Sequence, residues 1–252
     1  MPVSKCCATK SKLSLTRLPV STVDVDSNGV SGSLPTEIGL LLTLQDFSIH
    51  SNALTGTLPS QLGTLASLEK LLVYENQLTG PIPSELAQIA TLQELGLGSN
   101  PNLAGTLPTQ LGTLSSLTAL YLHSTKLSGR IPSQLGQISA LKDLFLYSNA
   151  LTGRLPIQLG QLSSLERLLI DNNHLTGQIP SELGRLSTLK ELLLNSNDLI
   201  GTLPTELGNL SSLEKLQLSN NKLSGAVPSE LGKISTLQSL DLSSSGLIGT
   251  IP

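Results

Sequence analysis

The chain has 252 residues, 38% of them hydrophobic but only 2% aromatic and none Trp, so its core has to be built from Leu, Ile and Val rather than rings. A formal net charge of −3 with 13% charged residues leaves no basic stripe to follow a phosphate backbone, which argues against nucleic-acid binding. The only two cysteines, Cys6 and Cys7, are adjacent and cannot easily bridge each other, and no Cys/His grouping has metal-ligand spacing, so neither disulfide, metal nor other cofactor is expected.

Residues 1–19 carry Lys5, Lys10, Lys12 and Arg17 without an acid, and they lack the apolar run of about 7–15 residues that a signal peptide needs. No stretch reaches the roughly 18 apolar residues of a membrane span, so the chain as written is expected to be soluble and not to insert in a membrane. Within this segment Leu13–Arg17 alternates apolar and polar, which makes it a candidate cap strand over Val23–Val25.

From Val20 onward the same spelling recurs at Leu44, Leu68, Leu92, Leu117, Leu141, Leu165, Leu189, Leu213 and Leu237. Every interval is 24 residues except Leu92 to Leu117, which is 25 because Pro101 is inserted after Asn100. A fixed period of this size means a solenoid whose turns bury one another, so residues 20–252 read as one domain of ten turns, the last cut short. The inserted proline predicts a local bulge beside the end of that strand.

Each turn opens with L-x-x-L-x-L, as in Leu165–Ile170, whose alternation predicts a short strand and, on stacking, a parallel sheet. Asn28, Asn52, Asn76, Asn100, Asn149, Asn173, Asn197 and Asn221 follow the strand in one register. Their amides can satisfy backbone groups where the chain turns inward, and Thr125 and Ser245 interrupt the column. Then comes L-x-G-x-[I/L/V]-P, Gly allowing the bend and Pro pre-setting an extended φ. Ser or Thr, Glu or Gln and Leu-Gly follow most of these prolines, which predicts an outer helical turn capped by the hydroxyl and ended by the glycine.

These residues resemble the plant-specific class of leucine-rich repeats, L-x-x-L-x-L-x-x-N-x-L-x-G-x-I-P-x-x-L-G, over Val20 to Pro252. The resemblance implies a right-handed, curved α/β repeat solenoid with a parallel concave sheet and short 3-10 or irregular outer turns. Members of the class include ectodomains of receptor-like kinases and receptor-like proteins and polygalacturonase-inhibiting proteins, mostly secreted or on the cell surface. Their repeats are not catalytic and bind partners on the concave sheet or the adjoining flank. The Trp-bearing cap with spaced cysteines and the R-x-R strand motif of some receptors have no counterpart here, Arg167 being followed by Leu168 and Leu169.

Three exposed positions per strand should face the concave side at a period of two. The first column reads Thr22, Asp46, Lys70, Glu94, Ala119, Asp143, Arg167, Glu191, Lys215, Ser239. Its alternating signs predict self-neutralising pairs, so that exchanging Asp143 with Arg167 should change little. The second and third columns hold six of the chain's eight Phe, Tyr and His residues, where composition alone places about 0.6. They concentrate in the middle turns as Leu72, Tyr74, Tyr121, His123, Phe145, Tyr147 and Leu169, with Gly96 and Gly98 leaving a notch beside Tyr74 that a bulky residue would fill. This is the candidate binding patch, for a protein or peptide first and a glycan second.

No motif supports an enzyme: Ser is abundant everywhere, His123 lies near no Cys, and Asp24 with Asp26 sit on a terminal turn without a desolvating wall. Asn209-Leu210-Ser211 is a glycosylation acceptor expected on the outer side. A scaffolding solenoid or an ice-binding surface is the alternative to recognition. For ice binding, the outer positions Thr57, Pro81, Thr106, Arg130, Arg154, Gln178 and Thr202 should form a regular ladder, and their mixed chemistry argues against it.

Overall fold

The computed structural model describes residues 19–249, so the candidate cap strand Leu13–Arg17 and the end of the tenth turn lie outside the described residues. Each turn places one three-residue strand in a ten-stranded parallel sheet that runs in sequence order from Thr22–Asp24 to Ser239–Asp241. The register joins Asp46, Lys70, Glu94 and Ala119 directly, as the period requires. The middle residue of each strand turns inward: Leu71, Leu95, Leu120, Leu144, Leu168 and Leu192 are fully buried, and so is Phe47 at 2% exposure. The core is a stack of aliphatic layers, each covered by the next turn.

A second parallel sheet runs along the flank, with seven strands from Thr79–Gly80 to Lys222–Leu223 and a two-stranded continuation, Ser31–Ser33 with Ala53–Thr55. Its strands are two to five residues long, too short to carry a legible alternation. The glycines of the L-x-G segment adopt φ of 74 to 103°, as Gly177 does at 79°, and so turn the chain out of this sheet toward the proline.

Between the two sheets the residue before each column asparagine is left-handed, φ 52 to 57°, and is Ser, Asn or Glu rather than Gly. The asparagine holds this bend. Asn173 Nδ2 donates to Leu146 O at 3.0 Å, Ile170 O at 3.1 Å and Asp171 O at 3.2 Å, while its Oδ1 accepts Leu151 N–H at 3.0 Å. Asn76, Asn149, Asn197 and Asn221 repeat the set.

The two irregularities of the sequence fall together here. Leu103 N–H should take an amide oxygen from the next turn, where Thr125 has none; instead it donates to Asn100 O at 2.9 Å, closing a β-turn with Pro101 at its second position. Thus the turn made by the inserted proline brings Asn100 O to the N–H that Thr125 leaves without an acceptor. Deleting Pro101 should leave the buried Leu103 N–H unpaired, at about 1–3 kcal/mol. Thr125→Asn, of small effect alone, should recover most of that loss in the deletion background. Urea unfolding of both single variants and the double variant should give a coupling of at least about 1 kcal/mol, whereas additive effects would separate the two features.

Outside, five-residue 3-10 helices such as Ser60–Thr64 and Ser181–Arg185 follow each proline. Two expectations need correction. The N-cap is the proline itself, with no side-chain cap hydrogen bond, because Ser or Thr is already the first helical residue. Nor does glycine end the helix: Gly184 lies inside Ser181–Arg185, where it lets Glu206 of the next turn pack against it. Ala87 occupies this column in one turn, and a cleft of about 340 Å³ lined by Glu85, Ala87, Gln88, Gln110 and Thr113 lies beside it.

Candidate functional site

The concave sheet holds its aromatic side chains at strand spacing, about 4.8 Å, so neighbours in one column meet ring to ring. His50 stacks on Tyr74 with centroids 4.1 Å apart and planes 13° apart, and His123 stacks on Tyr147 at 4.5 Å and 7°. One column over, Tyr121 and Phe145 meet at 4.9 Å with planes tilted by 47°. Such pairs add about 0.5–1.5 kcal/mol each beyond the area they bury.

Polar groups fix both ends of this ladder. Asp26 accepts His50 N–H and Ser48 Oγ–H, both at 2.8 Å, and its other oxygen lies 2.9 Å from His50 Nε2. At the opposite end Arg167 grips Asp143 through Nε at 2.6 Å and Nη2 at 2.8 Å, and its guanidinium lies 4.8 Å from the Phe145 centroid. Tyr121 donates its hydroxyl to the same Asp143 carboxylate at 3.2 Å. Burial first, then the Asp143 charge, pushes the Tyr121 hydroxyl up to about 12. Burial also raises Tyr74 and Tyr147 and lowers His123, the last partly offset by Glu75, so His123 is neutral at neutral pH.

Exchanging Asp143 with Arg167 is therefore not silent. A guanidinium at 143 would face the Tyr121 hydroxyl donor, and a carboxylate at 167 would sit against the negative face of Phe145. Among the described residues, this is the ion pair that the first column forms; Lys190–Glu166, at 2.7 Å, belongs to the edge column beside it.

Leu72, Tyr74, Tyr121, His123, Phe145 and Tyr147 line one depression of about 300 Å³, whereas Leu169 lies one strand beyond, paired with Phe145 in the sheet. Gly96 and Gly98 form the floor between them and are buried, so the expected open notch is roofed. A Cβ at Gly98 would lie 2.8 Å from His123 Nε2, and one at Gly96 would lie 3.2 Å from Tyr74 Cδ1. Any side chain at 98, Ala included, displaces His123 from its stack rather than filling empty space. Asp26, Asp143 and Arg167, which position the rings, escape a search for apolar patches; reading each column for its neighbours 24 residues away finds all three.

Another depression, about 610 Å³, is on the flank between Arg154, Ile157, Gln178, Glu182 and Ile200. Ile157 stands where the other described turns carry Ser or Thr and is 53% exposed. Its walls are mixed polar and apolar side chains, whereas the concave site is walled by rings already stacked on one another, which lowers the cost of ordering on binding. Asn209 closes the outer helix Thr205–Asn209 and is exposed, so a glycan there would leave the concave sheet clear. Among the described residues no group of His, Cys, Asp and Glu could hold a metal, and no helix is long and apolar enough to cross a membrane.

The Leucine Rich Repeat family profile matches residues 67–89, 164–186, 188–210 and 212–234. Curated protein sequences give no match. Among solved structures, the plant peptide hormone receptor RGFR1 in complex with RGF2 is 35% identical with a TM-score of 0.89, over 90% of this chain and 36% of the receptor chain. The Arabidopsis receptor kinase HAESA, in complex with the peptide hormone IDA and the co-receptor SERK1, is 36% identical with a TM-score of 0.88, over 92% of this chain and 39% of that one. A plant ice-binding protein is 30% identical with a TM-score of 0.80, over 91% of this chain and 74% of that one. The chain belongs to the leucine-rich-repeat family, and its repeats are similar to those of plant receptor-kinase ectodomains, of which it spans little more than a third.

Proposed function

We propose that this chain is a non-catalytic recognition module that binds a peptide on its concave face. The observation that carries this reading is the ladder of half-buried, pre-stacked rings over Gly96 and Gly98, pinned by Asp26 at one end and the Asp143–Arg167 pair at the other. Rigid aromatic anchors in a partly desolvated hollow bury area at low entropic cost. The RGFR1 and HAESA structures, both of complexes with peptide hormones, support a peptide rather than a glycan as the partner.

The test is an alanine scan read against an immobilised hexapeptide library, with folding checked by circular dichroism. Tyr74, Tyr121, Phe145 and Tyr147 should each lose about 2 kcal/mol or more, roughly thirty-fold in affinity. Losses confined to the flank, with all four within about 0.5 kcal/mol of the parent, would refute the reading.

The similarity to a plant ice-binding protein keeps a second reading in play. The outer positions are exposed and in register along the flank sheet, but Pro81, Arg130, Arg154 and Gln178 interrupt their threonines. No thermal hysteresis is expected, and a measurable gap between melting and freezing points would favour the flank.

A further inference from the structure

The C-terminal side of the aromatic patch carries an unfinished polar site. In the third concave column Tyr147 is followed by Asp171, Asn195 and Ser219, one per strand. Their backbones are tied in sequence: Ser148 N–H donates to Asp171 O, Asn172 N–H to Asn195 O and Ser196 N–H to Ser219 O, at 2.9 to 3.0 Å. Neighbours in this column are therefore about 4.8 Å apart. Asn195 Oδ1 is buried and accepts no hydrogen bond, the one such side-chain atom among the described residues. Asp171 beside it receives one amide donor, Asn172 Nδ2 at 2.7 Å, and forms no ion pair within the described residues. Burial raises the Asp171 carboxyl above its ordinary range, and the Asp171 charge in turn helps raise Tyr147, which puts the carboxylate near that phenol. One face of the Tyr147 ring is taken by His123; no ring stacks on the face toward Asp171.

We propose that Tyr147, Asp171 and Asn195 form a subsite for a cationic group of the bound peptide, a lysine ammonium, an arginine guanidinium or the α-ammonium. The proposal rests on the peptide-binding reading and names one feature of the ligand. The chemistry selects the charge. An uncharged N–H or O–H would satisfy Asn195 Oδ1 but would leave a half-buried carboxylate with only the distant Lys215 charge to offset it. A cation donates to both oxygens and gains the open face of Tyr147 as well. Nearby cations do not fill the place: Arg167 is spent on Asp143, and Lys215 sits in the first column, two strands away and nearer the strand start.

The probe is a random hexapeptide library in two forms, N-terminally acetylated and free, panned at pH 7 against the wild-type chain and against Asp171→Asn and Asp171→Ser. Asn and Ser occupy this same column at Asn195 and Ser219, so both variants place a residue type the sheet accommodates. Wild-type binders should show about a tenfold excess of Lys and Arg in the acetylated library, or a comparable preference for the free over the acetylated form if the α-ammonium is the occupant. Both variants should lose that excess while keeping the apolar preference set by Tyr121 and Phe145. Binders that need Tyr121 but show no cationic excess, or an excess that survives both Asp171 variants, overturn the subsite alone. Binding indifferent to Tyr121→Ala and Phe145→Ala, or no binding at all, overturns the patch and the subsite with it.

Discussion

Replacing Asn173 by Leu should destabilise the chain by roughly 2–4 kcal/mol although it keeps the branched shape and adds apolar surface. The substitution strands Leu151 N–H beneath a residue only 5% exposed and takes one of two amide donors from Leu146 O and from Ile170 O, which keep Asn149 Nδ2 and Asn197 Nδ2. A buried donor left without a partner costs about 1–3 kcal/mol, each lost carbonyl bond about 0.5–1.5, and the bulkier methyl groups crowd a packed turn, which together exceed what the added apolar surface returns. Asn28→Leu is the control. Its amide bonds Asp26 O at 2.7 Å in an exposed position at the first turn, where water can replace it, so the loss should stay under about 1 kcal/mol. Because each turn contacts only its neighbours, the Asn173 variant should also broaden the transition or split it. Urea unfolding followed by far-ultraviolet circular dichroism suits a chain without Trp. Equal losses at both positions would mean that the column acts through strand pairing rather than amide burial.

Most of the architecture was legible because the repeat writes each structural requirement ten times. The asparagine column announced the amide ladder, and the period announced the register that pairs Asp143 with Arg167. What stayed hidden depends on approach between turns. The flank sheet was not visible because strands such as Thr79–Gly80 are shorter than one period of alternation. The outer glycines looked like helix ends because a sequence shows that Gly184 follows Leu183, not that Glu206 presses against it. The candidate residues were named from their columns, but not the roof over Gly98, which exists because the His123 ring leans back across the strand that lacks side chains.

Apart from Ile157 and Ser245, the departures from the repeat named above cluster. Ala87, Gly96, Gly98, Pro101 and Thr125 all fall within the third to fifth turns, and the aromatic ladder is centred on that junction. Ala87 lies at the cleft between the outer helices, Pro101 repairs the hydrogen bond lost at Thr125, and the two glycines drop the sheet floor between ring pairs. A strictly regular array offers the same surface at every turn. Local irregularity is what makes one place on a solenoid differ from the rest, and here it coincides with the proposed peptide site.

Substituting Ala at two positions of the outer glycine column should have opposite outcomes. At Gly184 a Cβ would fall on the carbonyl oxygen of Glu206 and 2.6 Å from its carbon, and both partners are backbone, so the outer helices of adjacent turns must separate. Overpacking of this kind costs about 1–3 kcal/mol, and with no flexible side chain to absorb it the expected loss is near 3 kcal/mol. At Gly232 nothing lies within 4 Å of the added Cβ, and the residue is not left-handed. There the smaller conformational freedom of Ala in the unfolded chain should stabilise by up to about 1 kcal/mol. Ala87 shows that the column tolerates a methyl group where the neighbouring turns stand apart. Gly184→Ala should therefore fold into a chain with a weakened seventh-to-eighth interface, seen as faster amide exchange in Ser181–Arg185 and Thr205–Asn209 and a lower urea midpoint. If both variants shift by the same small amount, the column is set by local backbone preference, and the close packing of successive outer helices is not what requires glycine.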